Sequence, residues 1–73
     1  MVKIRLIGFF RFVLGKEVIE VQLEKPTKLI NVIGELPDKE RAIVLINGKN
    51  ASFDSEVTNS DEVMIIPIIG GGF

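Results

Sequence analysis

Hydrophobic and polar residues alternate from the start of the chain. Val2, Ile4 and Leu6 are separated by Lys3 and Arg5, the period of two expected of a strand with one buried face. Ile19, Val21 and Leu23 alternate with Glu20 and Gln22 and predict a second strand, ended by Pro26. The connection from Gly8 to Gly15 is too long for a tight hairpin, and Phe9 to Leu14 within it has room for one helical turn. Leu29, Ile33 and Leu36 then fall at helical spacing, which predicts a helix from Thr27 to Leu36 with Thr27 as N-cap and Pro37 as its stop. Gly34 inside it costs up to about 1 kcal/mol, so this helix should be short and held by packing. Ala42 to Ile46 is an almost wholly apolar run before Asn47-Gly48, a dipeptide typical of two-residue hairpin turns. Lys49 to Ser60 is polar and turn-rich, with Phe53 and Val57 as anchors into the core. Val63 to Ile66 is the last strand, and Pro67 can lie only at its end or edge.

The predicted order is therefore strand, strand, helix, strand, turn-rich segment, strand. A helix between two hairpins packs on one face of a mixed sheet, an α+β arrangement with the ubiquitin-like β-grasp order and one main helix. Alternation turns Val2, Ile4, Leu6, Ile19, Val21 and Leu23 toward that helix, together with Val44, Ile46, Val63 and Ile65. Ile7, Leu45, Met64 and Ile66 point the other way, too apolar a group for an ordinary solvated face. Contiguous exposed apolar surface marks a partner site. Leu45, Met64 and Ile66, with Pro67 and Ile68 next in the chain, are the candidate partner-binding residues. Residues 1–69 form the expected domain, and residues 70–73 a glycine-rich tail.

Composition narrows the chemistry. A chain of 73 residues buries only about 60% of the surface it exposes unfolded, so its core is thin. The sequence has no Cys, His, Tyr or Trp, which removes most nucleophiles, general bases and transition-metal ligands. A self-contained enzyme is not expected, no metal or bound cofactor is expected, and β-grasp ferredoxins are excluded because their clusters need cysteine thiolates. Nine basic and ten acidic residues are spread along the chain for a net charge of −1, so neither nucleic acid nor an anionic membrane is the expected partner. The uncharged run from Val63 to Phe73 is too short to span a bilayer. The apolar stretch from Leu6 to Gly15 is interrupted by Arg11 and lacks a cleavage site after it, so it is not read as a signal peptide and a cytoplasmic protein is expected.

Three ordered fragments carry a family resemblance: Ile46-Asn47-Gly48, Ser52-Phe53-Asp54, and Asp61-Glu62-Val63 leading through Pro67 to the glycines. Leu6 to Arg11 and Gly15-Lys16-Glu17 fit the first half. The chain resembles, over essentially its whole length, the small sulfur-carrying subunit of molybdopterin synthase and the thiamine-pathway sulfur carriers. Asn59-Ser60 stands where the family's turn usually has a glycine. Seven residues separate Val63 from Gly71-Gly72, a gapless match to the family spacing, which makes Gly72 the acyl acceptor and leaves Phe73 beyond it.

The resemblance implies chemistry on the carboxylate of Gly72. An adenylyltransferase akin to ubiquitin-activating enzymes uses ATP to make an acyl-adenylate, and a persulfide converts it into a thiocarboxylate. The large subunit of molybdopterin synthase, or another acceptor enzyme, then takes the sulfur. Gly70, Gly71 and Gly72 suit a tail that threads narrow channels, because glycine has no Cβ to meet their walls. Residues from about Ile69 onward are expected to be mobile in the free protein. Phe73 departs from the pattern: either a processing peptidase removes it, or the chain never forms a thiocarboxylate and acts by binding alone. Two other classes stand beside the sulfur carrier: a protein modifier joined through Gly72 to target lysines, and a non-catalytic binding module.

Overall fold

The structure is a computed structural model that describes residues 1–68. Its elements are β1 (Val2–Leu6), α1 (Phe9–Leu14), β2 (Val18–Val21), β3 (Thr27–Lys28), α2 (Leu29–Ile33), a 3-10 turn (Lys39–Arg41), β4 (Ala42–Ile46), β5 (Lys49–Ala51), β6 (Glu56–Val57) and β7 (Glu62–Pro67). Five strands form one sheet in the order β2-β1-β7-β4-β5, and β3 pairs with β6 in a small second sheet. β1 and β7 are parallel neighbours at the centre, with Ile4 opposite Val63 and Leu6 opposite Ile65, while the outer hairpins are antiparallel. This is the ubiquitin-like β-grasp, and the first and last strands meet as its order requires.

The inner face follows the period-two assignment. Val2, Ile4, Leu6, Val44, Val63 and Ile65 are buried with Phe10, Leu29, Leu36 and Val57, while Ile19, Val21, Leu23, Ile46 and Phe53 pack around them. Asn47 and Gly48 both take positive φ, at 53° and 83°, as a tight turn between β4 and β5 requires. Pro67 closes β7, where the missing N–H breaks no further ladder.

The helical part differs from the expectation. Thr27 is not an N-cap: Thr27 and Lys28 are extended and pair with Val57 and Glu56, and the Thr27 hydroxyl donates to the Lys25 carbonyl. The helix is only Leu29–Ile33. Its first N–H groups are taken by carbonyls of the turn-rich segment, Leu29 to Ser55 at 2.9 Å and Ile30 to Phe53 at 2.9 Å, so no side-chain cap is needed. Gly34 ends it at φ 73°, and Leu36 reaches the core from outside the helix. Among the described residues there is accordingly no single main helix but two short ones, and α1, the lone turn expected at Phe9 to Leu14, is the longer. The second strand stops at Val21, because the Leu23 backbone is held by Asn59 instead, which accepts from its N–H and donates to its carbonyl at 2.7 Å each. The segment Lys49 to Ser60 also contains two short strands that its polar composition did not signal.

Candidate functional site

On the face of the sheet away from α2, strands β4 and β7 place Leu45 opposite Met64 and Ile43 opposite Ile66. Leu45, Met64 and Ile66 are half-buried, while Ile43 is 38% and Ile7 is 40% exposed. The Ile7 N–H donates to Ile65 O at 3.0 Å, which carries the β1–β7 pairing one residue beyond β1 and sets Ile7 beside this row. Arg5, opposite Met64, borders the patch and makes a 3.4 Å ion pair with Glu62. Both groups are exposed, and such pairs contribute about 0–1 kcal/mol, so little holds Arg5 to Glu62. Ile43 belongs to the patch but was not singled out by sequence; its signal was there, two residues before Leu45 on the same strand face.

Pro67 sits apart from that row. Pro67 alternates to the inner side of β7, opposite Ala42. Its ring lies against Gly8: a Cβ built on Gly8 would stand 2.9 Å from Pro67 Cγ. Gly8 also has φ 60° and ψ −136°, backbone angles that other residues rarely adopt. Gly8→Ala should therefore lose about 1–3 kcal/mol of stability, read from urea unfolding, and an unchanged midpoint would show that the turn relaxes freely. Ile68 is 51% exposed, and its N–H donates to Arg41 O at 2.7 Å. Thus β7 is held by β1 as far as Ile65 and along its β4 edge as far as Ile68, beside the apolar face. Gly71, Gly72 and Phe73, and the mobility expected from Ile69 onward, lie outside the described residues.

The motif residues Asn47 and Asp61 gather at the opposite end of β7. Asn47 donates from Nδ2 to Asp61 Oδ1 at 2.8 Å and accepts the Glu62 N–H on Oδ1 at 3.0 Å. Asp61 Oδ2 accepts the Thr58 N–H at 2.7 Å and the Thr58 hydroxyl at 3.2 Å. The β4–β5 turn is thereby latched to the start of β7, and these residues serve the fold rather than the tail. The Thr58 backbone N–H first, and the Asn47 amide second, hold the Asp61 carboxyl below its ordinary value of 3.8. The stability this contributes is full above that ordinary value and is lost as pH falls through the lowered folded value. Asp61→Asn should lower stability at neutral pH and flatten its decline in acid, measured as urea midpoints between neutral pH and about pH 2. An equally steep decline in the variant would assign acid sensitivity elsewhere.

Among the described residues no group of three or more His, Cys, Asp or Glu could hold a metal ion, and no helix is long and apolar enough to cross a membrane.

SAMP1 from Haloferax volcanii superposes with a TM-score of 0.74 at 20% identity, covering 97% of this chain and 98% of that one. A Pyrococcus furiosus protein provisionally named molybdopterin converting factor subunit 1 gives 0.70 at 23% identity, over 93% and 97%. The small archaeal modifier protein 1 of Methanosarcina acetivorans gives 0.62 at 23% identity, over 97% and 95%. At these identities the likeness is one of fold. No curated protein sequence matches. The ThiS family model matches residues 4–72, from within β1 through Gly72 and short of Phe73. A family match over nearly the whole chain, on a β-grasp whose last strand is secured up to Ile68, makes this protein a member of the ThiS family.

Proposed function

We propose that this protein is a sulfur carrier that works through the carboxylate of Gly72. The observation that carries this reading is the family match running through Gly72 on a domain that holds the root of the tail beside an apolar face. A partner adenylyltransferase joins the Gly72 carboxylate to AMP from ATP and releases pyrophosphate. A persulfide displaces AMP, and a second thiol frees the thiocarboxylate. The protein is then the carrier and not the catalyst, holds no cofactor of its own, and acts in the cytoplasm. Phe73, and anything after it, must first be removed by a peptidase so that Gly72 bears the carboxylate. The likeness to a converting-factor subunit favours molybdopterin synthesis, with the synthase large subunit as acceptor.

Intact-mass spectrometry of the protein from its native host tests this directly. The expected mass is that of a chain ending at Gly72 with one oxygen replaced by sulfur. A mass that retains Phe73 and oxygen under sulfur-demanding growth would refute it. A second reading rests on the likeness to small archaeal modifier proteins: the same activated Gly72 forms an isopeptide bond with a target lysine. High-molecular-weight conjugates in host extracts would support that reading.

The globular domain supplies affinity, so replacing its apolar row should act on binding alone. Leu45→Glu or Ile66→Glu should weaken binding to the activating enzyme by about 1–3 kcal/mol in titration calorimetry, with an unchanged circular dichroism spectrum. Unaltered affinity would place the docking surface elsewhere.

A further inference from the structure

We propose that Asn47-Gly48 is a site of spontaneous covalent modification, and that the hydrogen-bonded latch to Asp61 and Glu62 holds it closed in the folded protein. The dipeptide lies at an exposed turn, open to water. Gly48 has no Cβ to screen its amide nitrogen from the neighbouring side chain. That nitrogen can attack Cγ of Asn47: the N–Cγ bond forms, the Cγ–Nδ2 bond breaks, and ammonia leaves with the proton from the Gly48 amide. Water then opens the five-membered imide and leaves a carboxylate at position 47, either as aspartate or with the main chain rerouted through the side chain.

In the folded protein both amide atoms of Asn47 are engaged with β7, Nδ2 with Asp61 at 2.8 Å and Oδ1 with the Glu62 N–H at 3.0 Å. Turning Cγ onto the Gly48 nitrogen requires breaking both bonds, so conversion proceeds only through local opening of the latch. The product cannot close it again. A carboxylate oxygen would replace the Nδ2 donor that faces Asp61 Oδ1, setting acceptor against acceptor and charge against charge. Modification is therefore a one-way mark that weakens the hold of the β4–β5 hairpin on β7.

Peptide mapping by mass spectrometry after incubation in neutral buffer provides the test. Asn47 should convert at least about tenfold more slowly in the folded protein than in the same chain in concentrated urea, equivalent to ~1.4 kcal/mol of opening. Asp61→Asn sets a second amide against Asn47 and should speed conversion in native buffer. Equal rates for the folded and urea-unfolded wild type, a comparison that needs no variant, would overturn the proposal. The product's effect has its own readout. Asn47→Asp should lower the urea midpoint, and adding Asp61→Asn should restore it, because the exchanged pair can again satisfy the Thr58 and Glu62 N–H groups. A stable N47D, or a double variant no better than N47D, would show that conversion leaves the latch intact.

Discussion

A chain ending at Gly72 will support ATP–pyrophosphate exchange with its cognate activating enzyme, and the chain extended by Phe73 will be inert or slower by on the order of a hundredfold. The spacing from Asp61-Glu62-Val63 makes Gly72 the proposed acceptor, and the family match stops there. In the chain extended by Phe73 the carboxylate belongs to a residue with a benzyl group, which a channel that admits only glycine would reject. A chain ending at Gly71 should fail as well, because its carboxylate falls short by one residue, roughly 3.3–3.6 Å of extended reach. A misplacement of even 1 Å costs about a hundredfold in rate. Equal exchange from the Gly72 and Phe73 forms would remove the need for trimming. Exchange from neither would leave the protein as a binding module.

The second large effect concerns the core. Phe10→Ala should cost about 3–5 kcal/mol, against a total of about 4–11 kcal/mol for a domain of this length. Among the described residues Phe10 is the largest fully buried side chain, and its ring stacks on Phe9 at 4.7 Å between centroids. Each kcal/mol lowers the melting temperature of so small a domain by about 4–8 °C, so a fall of at least about 12 °C is expected in calorimetry. Phe12→Ala, two positions along the same helix, should change stability by less than about 0.5 kcal/mol, because Phe12 is 80% exposed. Similar losses from both variants would mean that α1 does not anchor the core through Phe10.

The sheet was legible because alternation is a local signal: the parity of Val2, Ile4 and Leu6, and of Val63 and Ile65, assigns each strand its buried face without knowledge of its neighbour. The helices were less so. Thr27 has the chemistry of a cap, but Val57 offers its backbone a strand partner and the Phe53 and Ser55 carbonyls satisfy the helix start. These contacts join residues distant in sequence, and no local propensity encodes them. The outward apolar row was visible for Leu45, Met64 and Ile66, whereas Pro67 turned inward because its parity is that of Val63 and Ile65. The packing of Gly8 was not legible for the same reason as the Thr27 pairing: its neighbour in space is Pro67, near the other end of the chain.

The parallel pairing of β1 with β7 also bears on how the protein is born. Synthesis delivers β1 first and β7 last, and β1 has only β2 beside it until the final strand emerges. A nascent or prematurely terminated chain lacking β7 would expose facing edges of β1 and β4, the kind of surface that aggregates or is degraded. The strand that completes the sheet runs directly into the segment carrying Gly72. Ribosomal products thus become folded, and so escape disposal, only once they have been made up to the root of the tail.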